Sequence, residues 1–98
     1  MKPVRFLTPA SEEMVAAAVW YDQQVPGLGG AFLDQVEAAV AFLGQYPEAG
    51  QELKDGFRRR LLRQFPFALL YSVEPDEIIV HAVMHLRRRP GYWRDRRS

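Results

Sequence analysis

Two arginine clusters are the residues best able to do chemistry in this chain. Arg58, Arg59, Arg60 and Arg63 form the first, and Arg87, Arg88 and Arg89 the second. A guanidinium is a planar fork that grips two oxygens of a phosphate or carboxylate at once. If the strands carrying them pair, both clusters can lie on one side of a sheet and attract phosphate or a carboxylate-rich peptide. The same residues also read as a solvated strand edge, where charge keeps sheets from stacking edge to edge. His81 and His85, four apart on a regular strand, would point the same way roughly 13 Å apart, too far to share a metal. His85, next to the second cluster, suits a general acid or base, and also an ordinary core or surface histidine. Tyr92 and Trp93, between arginines, suit stacking on bases or folding back over a sheet. Trp20 and Tyr21 read as core.

Elements that would position these groups follow from the apolar pattern. Pro3 to Thr8 alternates like a short strand. Ser11 then reads as an N-cap, with Glu12 and Glu13 in the first turn of a helix reaching about Gln24. Met14, Ala17, Ala18 and Tyr21 form its apolar stripe, with Val15 and Val19 beside it. Pro26, Gly27, Gly29 and Gly30 turn the chain. A second helix from about Ala31 to Gln45 carries Phe32, Val36, Ala39 and Leu43 inward. The short link implies an antiparallel helical hairpin. Gln45 to Gly56 reads as a polar loop. Phe57 to Val73 reads as two strands joined by a tight connection, with Pro66 in the turn or at a strand start. Glu74-Pro75-Asp76-Glu77 is a turn, and Ile78 to His85 a central strand, apolar on both faces apart from its histidines. The expected fold is α+β, in the order β-α-α-β-β-β, with the hairpin on one face of an antiparallel sheet. Residues 1–98 form a single domain with a basic C-terminal tail, 87–98.

Composition narrows the class. The 98 residues are 48% hydrophobic and 26% charged, ordinary for a folded domain. Cysteine is absent, so there is no thiolate nucleophile, disulfide framework or cysteine zinc site, and no metal or cofactor is expected. No apolar run approaches a membrane span and the start has no signal-peptide core, which points to the cytoplasm. The net charge of +1 hides an asymmetry. Up to Asp55 three basic residues face eight acidic ones; from Gly56 onward ten arginines face four acids. Such a split suggests an anionic partner for the second half. No phosphate-binding loop, nucleophile motif or carboxylate metal motif is present. These features alone do not assign a function.

An ordered set of short stretches does more. Ala18-Val19-Trp20-Tyr21 is followed by Pro26-Gly27-Leu28-Gly29 and Phe32-Leu33. Later come Arg58-Arg59, Phe65-Pro66-Phe67-Ala68-Leu69-Leu70-Tyr71, Val83-Met84-His85 and Arg87-Arg88-Arg89-Pro90-Gly91-Tyr92-Trp93. The series resembles the RelE/ParE toxin superfamily of type II toxin–antitoxin systems, on its ParE-like, plasmid-stabilisation side. Phe67 stands where that pattern commonly has tyrosine, and Arg89 where an acidic residue is usual. The resemblance implies a growth-inhibiting toxin neutralised by a cognate antitoxin, ParD-like with a ribbon-helix-helix domain, in a hetero-oligomer. Its target would be DNA gyrase, inhibited by binding through Arg58, Arg59, Arg60, Arg63, Arg87, Arg88, Arg89 and Trp93. A RelE-type alternative is metal-independent mRNA cleavage on the ribosome, with His85 or Tyr92 moving protons and Arg59, Arg63 and Arg87 holding charge. The lysine-rich core of some RelE members is missing, since only Lys2 and Lys54 occur. The Pro-Gly-Tyr-Trp ending looks ParE-like. A third reading is an inactive relative that only binds its antitoxin.

Overall fold

The computed structural model describes residues 1–96. Its elements are β1 (Val4–Phe6), α1 (Thr8–Gln24), α2 (Leu28–Gln45), β2 (Gln51–Glu52), β3 (Phe57–Leu61), β4 (Phe67–Val73) and β5 (Ile78–His85). The strands form one sheet in the order β1-β5-β4-β3-β2, and the two helices pack on one of its faces. The α+β class, the hairpin and the central position of the last strand match expectation. The sheet is mixed rather than antiparallel. β1 runs parallel to β5, pairing Val4 with Ile78 and Phe6 with Val80. The end of α2 lies beside the start of β1, where Gly44 O accepts the Lys2 N–H at 3.0 Å, and the antiparallel steps β3–β4 and β4–β5 leave β5 running with β3 and β1. Gln45 to Gly56 also holds more order than a loop, because β2 pairs antiparallel with β3.

Helix starts moved for physical reasons. α1 begins at Thr8, one turn before the expected cap, with Pro9 in its first turn. Proline's fixed φ suits that turn, where its missing N–H costs nothing. Ser11 is therefore inside the helix, and Glu13 faces the sheet edge instead of capping. α2 begins at Leu28 and takes in Gly29 and Gly30. Its start is capped from α1: Asp22 Oδ1 accepts N–H bonds from Gly27 at 3.0 Å and Gly29 at 3.1 Å. Gly27, at φ 90°, makes the turn between the helices.

Both faces of the sheet are apolar. Toward the helices lie Phe67, Leu69, Tyr71, Ile78, Val80 and Val83, packed on Phe32, Val36, Ala39 and Leu43. On the far face Ala68, Leu70, Ala82 and Met84 pack under Trp93. Tyr71 also pins the segment before β2. Its hydroxyl donates to Pro47 O at 2.8 Å and accepts the Gly50 N–H at 2.9 Å. Val15 and Val19 prove exposed, and so does Trp20 at 56%. Tyr21 alone of the Trp20-Tyr21 pair turns inward, against Phe32 and Phe65.

Gly29 decides how closely the helices approach, since a Cβ there would lie 2.3 Å from Ala18 O. At Gly30 a Cβ meets nothing within 4 Å. Gly29→Ala should lower stability by about 1–3 kcal/mol, read as a lower Tm. Gly30→Ala should raise it by about 0.5–1 kcal/mol through helix propensity. Thermal unfolding of the two variants checks the contrast.

Candidate functional site

The arginine row of β3 does not make one patch. Successive strand residues alternate in face, so Arg58 and Arg60 point to the helix side with their partners Tyr71 and Leu69. Arg59 points to the far face with Leu70. Each is engaged locally. Arg58 Nη1 donates to Glu48 O at 3.1 Å and Gly50 O at 2.9 Å. Arg59 Nη2 donates to Gln51 Oε1 at 2.6 Å. Arg60 lies 4.3 Å over the Phe42 ring. These three stiffen the β2–β3 region; the expectation of a shared anion surface with the second cluster is corrected here by strand alternation.

A different basic group exists at one end of the sheet. Leu86 N–H bonds Pro66 O at 2.9 Å, and Leu62 N–H bonds Phe67 O at 2.9 Å. These bonds set the β3–β4 connection, with Arg63, beside the end of β5, with Arg87, Arg88 and Arg89. All four are exposed. Among the described residues none of them has an ion-pair partner. At the opposite end, the β4–β5 turn holds Glu74, Asp76 and Glu77. That turn is largely neutralised, since Arg5 pairs with Glu77 at 3.0 Å and the Lys2 ammonium donates to Pro75 O at 3.1 Å, so the basic end is the one strongly charged end of the sheet among the described residues.

The histidines separate as well. β4 pairs Leu70 with Ala82 and Tyr71 with Val80, skipping His81. That extra residue is a β-bulge, and it reverses the face of everything after it. His81 lies on the far face, edge-on to Phe57 at 5.0 Å. His85 lies on the helix side against Phe67 at 5.0 Å. Burial lowers the His81 pKa, aided by Arg5 and Arg96 and opposed by Glu74. Ser72 Oγ donates to Glu74 Oε2 at 2.8 Å and is 2.9 Å from His81 Nε2. With its proton given to Glu74, Ser72 takes one from His81. It is buried at the same time, so this chain of bonds is no nucleophile dyad.

Sequence reasoning missed Glu13 and Arg96. β1 covers β5 only as far as Val80. Beyond it, Glu13 Oε1 accepts the Val83 N–H at 3.0 Å. Arg96 Nη1 donates to His81 O at 3.0 Å. Arg96 also holds both Glu13 oxygens at 2.8 Å each, in a side-on fork. Tyr92 O–H donates to Glu13 Oε2 at 2.7 Å, and Arg88 covers the Tyr92 ring at 3.9 Å. Burial pushes the Glu13 pKa up, but the bonds from Arg96, Tyr92 and Val83 outweigh it and hold it below the usual range. Burial, with the bond to Glu13, raises the Tyr92 pKa. The tail therefore wraps β5. Trp93, 2% exposed, is locked on the far face 4.6 Å from Phe57. Its indole is core and is not presented to a partner, contrary to its place in the expected binding set.

Beside this clasp an apolar cleft of about 570 Å³ opens between α1 and β5. Ala16, Ala17, Trp20, Tyr21, Phe67 and Val83 form its walls, with Glu13, His85 and Arg88 around them. Only some of the residues expected for RNA cleavage are brought together. Arg59 is on the far face, while His85 is in the cleft with Nδ1 accepting the Arg87 N–H at 3.1 Å. Tyr92 spends its proton on Glu13. Arg63 and Arg87 share the basic end with His85. Among the described residues no cluster of His, Asp and Glu could hold a metal. No helix there is long and apolar enough to cross a membrane.

Glu13, a carboxyl depressed in the folded state, contributes stability fully above the ordinary carboxylate range. That stability is lost as pH falls through the folded value. The groups facing it are Arg96, Tyr92 and the Val83 N–H, with Arg88 and His85 lining the same cleft. Glu13→Gln should cost about 2 kcal/mol at pH 7 and flatten the loss of stability as pH falls below the ordinary carboxylate range. Urea unfolding over that range measures both.

Comparison with known proteins agrees with this geometry. The family described as ParE toxin of type II toxin-antitoxin system, parDE, matches residues 4–90. Among solved structures, a chain of the "Chromosomal ParDE TA system from P. aeruginosa" superposes with a TM-score of 0.77 at 20% identity. The alignment covers 87% of this chain and 96% of that one. The curated proteins contain no match. A family match spanning nearly all of β1 to β5 and the start of the tail, on the same fold, assigns the chain: it belongs to the ParE toxin family of type II toxin–antitoxin systems.

Proposed function

We propose that this toxin acts in the cytoplasm by binding its target, DNA gyrase, and is neutralised by a ParD-like antitoxin with a ribbon-helix-helix domain. The observation that carries the binding mode is the separation of the would-be catalytic groups. Arg59 and His85 lie on opposite faces of the sheet, and the Tyr92 proton is committed to Glu13. Metal-free RNA cleavage needs a base, an acid and phosphate-binding cations at one point. A docking toxin needs only a surface. Here the surface is the basic end, Arg63, Arg87, Arg88 and Arg89, whose guanidiniums have no ion-pair partner among the described residues.

The antitoxin's place is the α1–β5 cleft and the outer face of the hairpin. The exposed apolar side chains of α1 and α2 gather there: Val15, Val19, Trp20 and Leu33. A helix laid along such a stripe anchors by residues one turn apart, and Trp20 offers the kind of aromatic anchor that dominates interfaces. His85 and Arg88 at the cleft suit an acidic residue on the incoming segment.

Induced expression without the antitoxin, with growth and mRNA integrity followed together, tests the mode. Growth arrest with intact mRNA is expected, and ribosome-dependent mRNA cuts would overturn it. Replacing Arg63, Arg87 and Arg89 together by Glu should abolish arrest and weaken inhibition of purified gyrase at least tenfold. Arg59→Ala and His85→Ala should leave arrest intact. Trp20→Ala should weaken antitoxin binding by tenfold or more, measured by calorimetry, with toxicity unchanged. Normal growth on expression of the unaltered chain would mean that it only binds its antitoxin.

A further inference from the structure

Beyond Val80, β5 has an edge that no strand covers. β4 pairs with it along its whole length, but β1 stops at Val80. The strand from Ile78 to His85 contains no proline, no glycine and no Asp, Glu, Lys or Arg. It lacks the usual protections of an edge and has the composition of an aggregating segment. What stands on the edge is a pair of side chains that imitate a strand. The Glu13 carboxylate takes the Val83 N–H as a carbonyl would, and the Arg96 guanidinium serves His81 O as an amide N–H would. The two imitators are clamped to one another by the fork and steadied by Tyr92. Their side chains are only 18% and 17% exposed.

We propose that the Glu13–Arg96 clasp guards a latent self-pairing edge, so that opening it lets β5 of two copies pair antiparallel across a two-fold axis. The occupant of the edge is a second copy of this chain because antiparallel pairing of identical strands is self-complementary. Charge favours the same arrangement. An antiparallel pair directs the arginine end of each β5, Arg87 to Arg89, toward the turn end of the other, where Glu77 is taken by Arg5 but Glu74 and Asp76 have no ion-pair partner among the described residues. Arg96 lies in the segment after Trp93, outside every strand and helix, so the clasp opens by moving that segment and without unfolding the sheet.

The test uses the full chain alone, so its outcome is independent of the antitoxin and gyrase assignments. Arg96→Ala removes the donor to His81 O and the fork that clamps Glu13, leaving Glu13 on the Val83 N–H with Tyr92 as its one remaining side-chain partner among the described residues. Arg96→Lys keeps a cation on Glu13 but cannot reach two carboxylate oxygens and His81 O together. Near-UV circular dichroism confirms that each variant is folded. Sedimentation velocity over a concentration series gives the association constant, and hydrogen exchange gives the protection of the Val83 amide. For Arg96→Ala, dimerisation should strengthen at least tenfold over the unaltered chain, and Val83 protection should rise with protein concentration. Arg96→Lys should fall between the two. If Arg96→Ala unfolds, the lysine variant alone decides, by the same two readings. The proposal is overturned if the folded variants stay as monomeric as the unaltered chain, whatever the exchange rate of the Val83 amide. It is equally overturned if they associate while that amide stays fast, since another surface would then be responsible.

Discussion

The rest of this structure depends on a sheet that is apolar on both faces in a chain with only one pair of helices to cover it. Leu69, Tyr71 and Val83 face the hairpin, while Leu70, Ala82 and Met84 face away. Burying the second set requires another cover, and the tail supplies it through Trp93. That demand explains why a segment rich in arginine folds back rather than extending into water. Its aromatic residue contributes the burial, and its guanidiniums stay at the rim, where Arg94 lies 4.8 Å over the Trp93 ring.

Holding the tail in place creates the chemistry at the β5 edge. A carboxylate as enclosed as Glu13 is costly without partners. Here it has four bonds, from Arg96 twice, Tyr92 and the Val83 N–H. The same residue lines the cleft beside Trp20. The tail clasp, the strand edge and the apolar cleft therefore share one side chain, and a change in one is felt by the others. The basic end of the sheet adjoins this cluster through Arg88, which covers the Tyr92 ring and lines the cleft, so the surfaces proposed for a target and for an antitoxin abut on a domain of 98 residues.

The separation of His81 from His85, and of Arg59 from Arg58 and Arg60, has an equally local cause. A single extra residue at His81 turns the histidines to opposite faces, and strand alternation does the same to the β3 arginines. Neither effect needs a change of composition. A chain with identical residue types and a regular β5 would place His81 and His85 on one face.

By itself the sequence determined the layers. Helical periodicity in Phe32, Val36, Ala39 and Leu43 and a doubly apolar run from Ile78 to Met84 specify a hairpin on a sheet, because burial of apolar area depends on local periodicity. The ordered motifs likewise carried the family. The tertiary structure alone decided which charges meet. The Glu13–Arg96 pair spans 83 residues, and no spacing rule joins positions that far apart. Trp20 turned outward from an apolar stretch and Trp93 inward from an arginine-rich one, because a helix has one buried face and the sheet had an uncovered one. The bulge at His81 was invisible for a related reason: strand register is set by the partner strand, and a slip of one residue leaves no mark in the sequence of either.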